Sequence, residues 1–172
     1  MRARLAATGV AASLMLVTTG ADAEPAPNHD SHSRKFSFAI APKSPNGSTQ
    51  TAGIGAFETF GDNVHISSSA PTAVSGHGWW QMVSGPAGVK AKVTVFLQAQ
   101  DTHGKWTTVN TGYKIVYSGG GSANRASAQK QCTNLVQRVV WRTLIDVDLI
   151  GYNDTPGVTT TSAITFYCGA GL

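Results

Sequence analysis

Charge is scarce in this chain and cysteine scarcer still. Of 172 residues only 13% are charged, 13 Lys and Arg against 9 Asp and Glu, and two are cysteines. A positive balance this thin, with no aromatic RNA-binding motif, excludes a nucleic-acid-binding stripe. Long apolar runs are missing after the first two dozen residues, which leaves no segment with the pattern of a membrane-spanning helix. Helical periodicity is almost absent. So are the signatures of catalysis: there is no G-x-S-x-G elbow, no H-E-x-x-H, no C-x-x-C and no Walker loop. The glycine triplet Gly119 to Gly121 lacks the lysine and following helix of a phosphate cradle. No catalytic residue, metal ligand set or cofactor is therefore assigned.

What is present begins with an address. MRAR, then LAATGVAASLMLVTTG, then Ala21-Asp22-Ala23 is the basic, apolar and small-x-small order of a secretory signal peptide. Residues 1–23 are expected to be cleaved, 24–35 (EPAPNHDSHSRK) to form a flexible leader, and 36–172 to form one domain. About 149 residues remain after cleavage, enough for one core and too few for two. Setting aside Arg2, Arg4 and Asp22 takes the 13 basic and 9 acidic residues to 11 and 8. A secreted chain meets an oxidising environment, so Cys132 and Cys168 are predicted to pair. Closing a loop of about 37 residues would contribute about 4 kcal/mol in the chain-entropy model.

The rest reads as strands. Phe36, Phe38 and Ile40 alternate with small or polar residues, and the Pro-, Gly- and Ser-rich stretch from Pro42 to Gly53 reads as a long loop. Short candidates follow at Ala56 to Phe60, Val64 to Ser67 and Trp79 to Val83. In VKAKVTVFLQAQ, residues 89–100, Val89, Ala91, Val93, Val95, Leu97 and Ala99 share one face while Lys90, Lys92, Thr94, Gln98 and Gln100 share the other. Asp101 to Lys105 has the composition of a hairpin loop, returning through Trp106 to Thr111 and on to Tyr117. Ala126, Ala128 and Cys132 share parity, as do Val158, Ile164, Phe166 and Cys168, and these faces are expected to point inward. Eight or nine short strands with glycine-rich turns predict an all-β fold, an antiparallel β-sandwich of immunoglobulin-like type with one disulfide.

The most informative run is VVWRTLIDVDLIGY, residues 139–152. Its odd positions from Val139 to Leu149 are apolar apart from Thr143. Its even positions set Arg142, Asp146 and Asp148 among hydrophobes, the pattern of a strand with one core face and one partly covered face. Asp146 and Asp148 are expected to face Lys90, Lys92 or Arg138 across the sheet, and Arg142 to face neighbours that include acids. Asp146 to Gly151 imitates the start of an EF-hand loop, yet its fifth position is Ile150 and its twelfth, Gly157, has no carboxylate. The motif fails, although Asp146, Asp148 and Asp154 can still converge with backbone carbonyls. The two adjacent carboxylates, about 6 to 7 Å apart on one strand face, suit a glycosidase pair only if a cleft lies between them.

GHGWWQ, residues 76–81, sets His77 beside Trp79 and Trp80. Adjacent strand residues point to opposite faces, so one indole is expected in the core and the other to be more exposed. An exposed indole can stack on a sugar or anchor a protein partner. His77, Trp79, Trp80, Arg142, Asp146 and Asp148 are accordingly the candidate binding residues. His29 and His32 lie on the leader and read as solvated.

From Trp80 onward the chain resembles small secreted β-sandwich proteins of actinobacteria. The residues that carry this are Lys90-Ala-Lys-Val-Thr-Val-Phe-Leu-Gln98, Ser118 to Ser122, Cys132, Trp141-Arg142, Asp146-Val-Asp-Leu-Ile-Gly151 and Cys168. The resemblance implies a sandwich with a Cys132 to Cys168 bridge and export, and it brings no catalytic residues. The role of those sandwich proteins is uncharacterised; some small exported actinobacterial proteins serve as adaptors in multi-protein toxin particles, and a flexible leader before a sandwich is similar in layout, though no motif here carries that role. The expectation is therefore a secreted, non-catalytic interaction module with an extracellular protein partner. In that reading the leader and edge strands offer backbone groups for strand addition. A carbohydrate-binding module using an exposed Trp, and a hydrolase assembled from distant Ser, His and Asp, are the alternatives.

Overall fold

The computed structural model describes residues 32–38, 41–42, 55–67, 69–155 and 158–172. The signal segment and the leader up to residue 31 lie outside the described residues, as does most of the predicted 42–53 loop.

The strands in chain order are β1 (His32–Phe38), β2 (Ala41–Pro42), β3 (Ala56–Asp62), β4 (His65–Ile66), β5 (Ala73–Ser84) and β6 (Lys90–Gln100). They continue as β7 (Trp106–Tyr117), β8 (Ala126–Gln131), β9 (Arg138–Leu149), β10 (Tyr152–Asn153), β11 (Val158–Thr160) and β12 (Ile164–Tyr167). A first antiparallel sheet runs β1, β3, β5, with β4 and β8 also on β5. A second runs β7, β6, β9, with β11 and β12 both on the outer edge of β9. β2 and β10 form a separate two-stranded ladder.

The core lies between the two sheets and is built by the alternations visible in the sequence. Val89, Ala91, Val93, Val95, Leu97 and Ala99 are all buried, as are Val139, Trp141, Ile145, Val147 and Leu149. Thr143 is the polar member of that β9 face. It is satisfied there, its backbone N–H donating to Thr161 Oγ1 at 2.9 Å. The sheets approach closely where three glycines of the first meet the second. A Cβ on Gly61 would lie 2.3 Å from Ile145 Cδ1, one on Gly76 2.1 Å from Thr143 Cγ2, and one on Gly78 2.6 Å from Ile145 Cγ2. A side chain at any of these positions would have to displace Ile145 or Thr143. One side of the stack is closed where β7 crosses β8, with Asn110 Nδ2 donating to Gln129 O.

Cys132 and Cys168 are bonded, S–S 2.01 Å. The bridge fastens the end of β8 to the C-terminal segment after β12. Two backbone bonds reinforce it, Thr133 N to Gly169 O and Gly169 N to Asn134 O, both 2.9 Å.

Several sequence expectations are corrected. β1 begins at His32, inside the stretch assigned to the leader, because its pairing with β3 runs through backbone groups and needs no apolar alternation. β5 begins at Ala73 rather than Trp79. Gly76 and Gly78, which look like turn signals, are strand positions facing the other sheet. Val158 is 41% exposed and its neighbour Thr159 is buried. The cause is a one-residue slip: Thr159 is opposite Ile145 in β11, whereas Ile164 is opposite Trp141 in β12. An extra residue between the two strands switches the inward parity from odd to even.

Candidate functional site

Each sheet has an outward face, and the candidate residues divide between them. On the first sheet, the register places Asp62 next to His77 and His77 opposite Ser127, a row across β3, β5 and β8. His77 Nδ1 lies 3.9 Å from Asp62 Oδ2, and its ring stacks on His65 at 5.1 Å between centroids. Burial is the main cause holding the His77 pKa below its ordinary value; His65 and then Arg125 add to it, and Asp62 opposes it. His77 is therefore neutral at neutral pH. Arg125 Nη1 contacts Asp62 Oδ2 at 2.5 Å while its guanidinium lies 4.4 Å over the Trp79 ring.

Trp79 and Trp80 do face opposite ways, as adjacent strand residues must. Trp80 is fully buried between the sheets, its Nε1–H donating to Val116 O at 3.3 Å. Trp79 corrects the expectation of an exposed indole, because it is only 7% exposed. Phe60 stacks on it at 5.5 Å, Arg125 covers it, and Gly120 of the following turn lies against its Nε1 edge. That turn is tethered by Gly119 N to Trp80 O (2.9 Å), Met82 N to Ser118 Oγ (2.8 Å) and Lys114 Nζ to Ala123 O (2.7 Å). Neither tryptophan offers a free stacking surface.

A small polar pocket lies beside the cluster, lined by His77, Ser122, Arg125 and Ser127. The spatial order Asp62, His77, Ser127 is that of a catalytic relay, but the contacts are not. Asp62 is engaged by Arg125, and His77 Nδ1 is buried with no hydrogen-bond partner among the described residues. A relay needs its base oriented by the acid and within reach of the nucleophile. In this structure the cluster's contacts are an ion pair, a ring stack and a cation over an indole.

The second sheet's outward face is different. Its rows run across β7, β6 and β9: Ile115, Lys92 and Asp148 in one; Tyr113, Thr94 and Asp146 in the next, continued by Val158 of β11; then Thr111, Phe96 and Leu144. Tyr113 is 69% exposed, Ile115 54% and Tyr117 51%. Cations stand over the rings: Lys90 Nζ 4.8 Å from the Tyr117 centroid, Lys92 Nζ 5.3 Å from that of Tyr113, and Arg142 Cζ 4.1 Å from that of Trp106. Arg142 Nε also donates to Gln98 Oε1 at 2.9 Å, so its partners are an amide and a ring rather than the expected acid. Burial lowers the Arg142 pKa from its ordinary value.

Asp148 does fall opposite Lys92, as expected, while Asp146 falls opposite Thr94. Burial is the main cause raising the Asp146 pKa, reinforced by Asp148 and Asp154 and opposed by a backbone hydrogen bond and by Lys92. Asp154 turns one oxygen to its own chain, accepting from Leu149 N at 2.8 Å. Among the described residues no group of three or more His, Cys, Asp or Glu is placed to hold a metal ion, and no helix is long and apolar enough to cross a membrane. Tyr113, Ile115 and Tyr117 were missed by sequence reasoning because an isolated Tyr or Ile on a strand gives no signal of its own. The alternation of YKIVY did carry one, namely three large side chains on a single face.

Comparison with protein-family models, with curated proteins and with solved structures finds no match.

Proposed function

We propose that this chain is a secreted, non-catalytic protein-interaction module, and that its partner docks on the outward face of the β7, β6 and β9 sheet. The observation that carries the reading is the run of Tyr113, Ile115 and Tyr117, each more than half exposed on one face of a paired strand. Exposed apolar patches flanked by charge are common docking surfaces, and tyrosines anchor them at low entropic cost. The signal-peptide pattern of residues 1–23 supports export, and the disulfide fits an oxidising compartment. Two facing antiparallel sheets with one bridge suit an immunoglobulin-like sandwich, and the likeness to small exported actinobacterial proteins suits an adaptor role in an extracellular complex. A protein partner is favoured over a carbohydrate. The tryptophans are covered, and Tyr113 and Tyr117 each have a lysine over the ring where a sugar would stack.

The test compares the protein with a Tyr113→Ala, Ile115→Ala, Tyr117→Ala variant in culture supernatant by size-exclusion chromatography. The parent is expected to elute in an assembly larger than a monomer and the variant alone. Equal elution of the two, or absence of both from the supernatant while they accumulate in cells, rejects the reading.

A further inference from the structure

The docking face has a property that narrows the partner: it is complementary to itself. Cations and acids stand in neighbouring columns, Lys92 on β6 and Asp148 on β9, directly across from one another in the register. Both are exposed, yet Lys92 leans over the Tyr113 ring, and no ion pair joins it to Asp148 among the described residues. Both charges are thus accessible to a group outside the chain. Two rows further along the same columns, Phe96 of β6 stands opposite Leu144 of β9, both half-buried. In the row between, Tyr113 on β7 and Val158 on β11 occupy the two flanks, 69% and 41% exposed.

From this arrangement we infer that the face binds a second copy of the chain, sheet against sheet, about a two-fold axis that lies in the interface parallel to the strands and midway between β6 and β9. The inference rests on the docking face assigned under Proposed function and names its occupant. Rotation about that axis exchanges the β6 and β9 columns while keeping each row in place. It sets Lys92 against Asp148 of the second copy, Phe96 against its Leu144 and Tyr113 against its Val158, each pair formed twice. A two-fold interface requires such self-matching, because one patch must fit its own image. Strands related by that axis run parallel, the aligned arrangement of stacked sheets. Burial first, and then Asp148 and Asp154, raise the Asp146 pKa, and Lys92 only partly offsets them.

Sedimentation velocity on the purified full-length secreted protein through the micromolar range tests this, with Lys92→Glu and Asp148→Lys as exposed, fold-neutral variants. The parent is expected to dimerise without any companion protein, and more weakly as salt is raised. Each variant alone brings like charges together twice and should weaken the dimer by about tenfold or more. Mixed in equal amounts, the two variants should recover it, since the carboxylate introduced in one then meets the ammonium introduced in the other. A parent that stays monomeric, or a dimer indifferent to both changes and to their mixing, overturns the inference. A monomeric parent that still elutes with a supernatant companion, lost on the Tyr113, Ile115 and Tyr117 replacements, overturns the second copy while leaving the docking face in place. A monomeric parent without a companion overturns both.

Discussion

The outward faces of the two sheets make opposite use of their side chains. The face of β3, β5 and β8 holds the groups that chemistry ordinarily employs, two histidines, an aspartate, an arginine and a tryptophan, and spends them on one another. Arg125 neutralises Asp62 and roofs Trp79, while His65 stacks on His77. The face of β7, β6 and β9 holds tyrosines, an isoleucine, lysines and aspartates of no special reactivity, and leaves them open. On the first face the charged groups pair with one another and cover an indole, whereas on the second they lean on tyrosine rings that stay more than half exposed.

The largest expected effect on this contrast is at Arg125. Arg125→Ala removes the cation that pairs with a mostly covered carboxylate and uncovers the Trp79 indole, so it should cost about 2 kcal/mol in urea unfolding. It should also shift tryptophan emission to longer wavelength and make one indole accessible to iodide. Unchanged emission and stability would show that the first face is not sealed by its own residues.

A smaller effect concerns pH. The His77 pKa is depressed in the fold, first by burial, so the unfolded chain takes up its proton before the folded one does. Stability should therefore fall as pH drops below the 6.5 of an unperturbed histidine, and should level off once folded His77 is itself protonated. His77→Gln should flatten that slope in thermal melts between pH 7 and pH 5. An equally steep slope in the variant would assign the dependence to another group.

The smallest effect is at Asp146. Its pKa is raised in the fold, again first by burial, so the unfolded chain releases the proton first. The residue then costs stability as pH rises from 3.8 through its folded pKa. Asp146→Asn should raise the melting temperature slightly at neutral pH and leave it unchanged in strong acid. A drop at neutral pH would mean that Asp146 is held by a partner rather than crowded by acids, and would weaken the contrast between the open face and the sealed one.

Much of the fold was legible in the sequence. The alternations over residues 89–100 and 139–149 gave the two central strands of the second sheet with the correct inward faces, because one buried side imposes a strict period of two. The two cysteines gave the bridge. Legibility failed wherever a local signal had a distant cause. Gly76 and Gly78 looked like turns, and only the approach of Thr143 and Ile145 explains them as strand residues. Val158 changed sides because of a single extra residue before Ile164, which no residue type announces. Of the six candidate binding residues, Arg142, Asp146 and Asp148 lie on the open face, while His77, Trp79 and Trp80 lie in the sealed cluster or the core.

By itself the sequence determined which residues of the two long strands β6 and β9 turn inward, since that depends only on alternation along a pleated chain, and which sulfurs were available to pair. Only the tertiary structure decided which outward face is closed and which is open. Closure of Trp79 requires Phe60, Arg125 and the turn after Tyr117 to meet over one ring, and residues so far apart along the chain are brought together by sheet pairing alone.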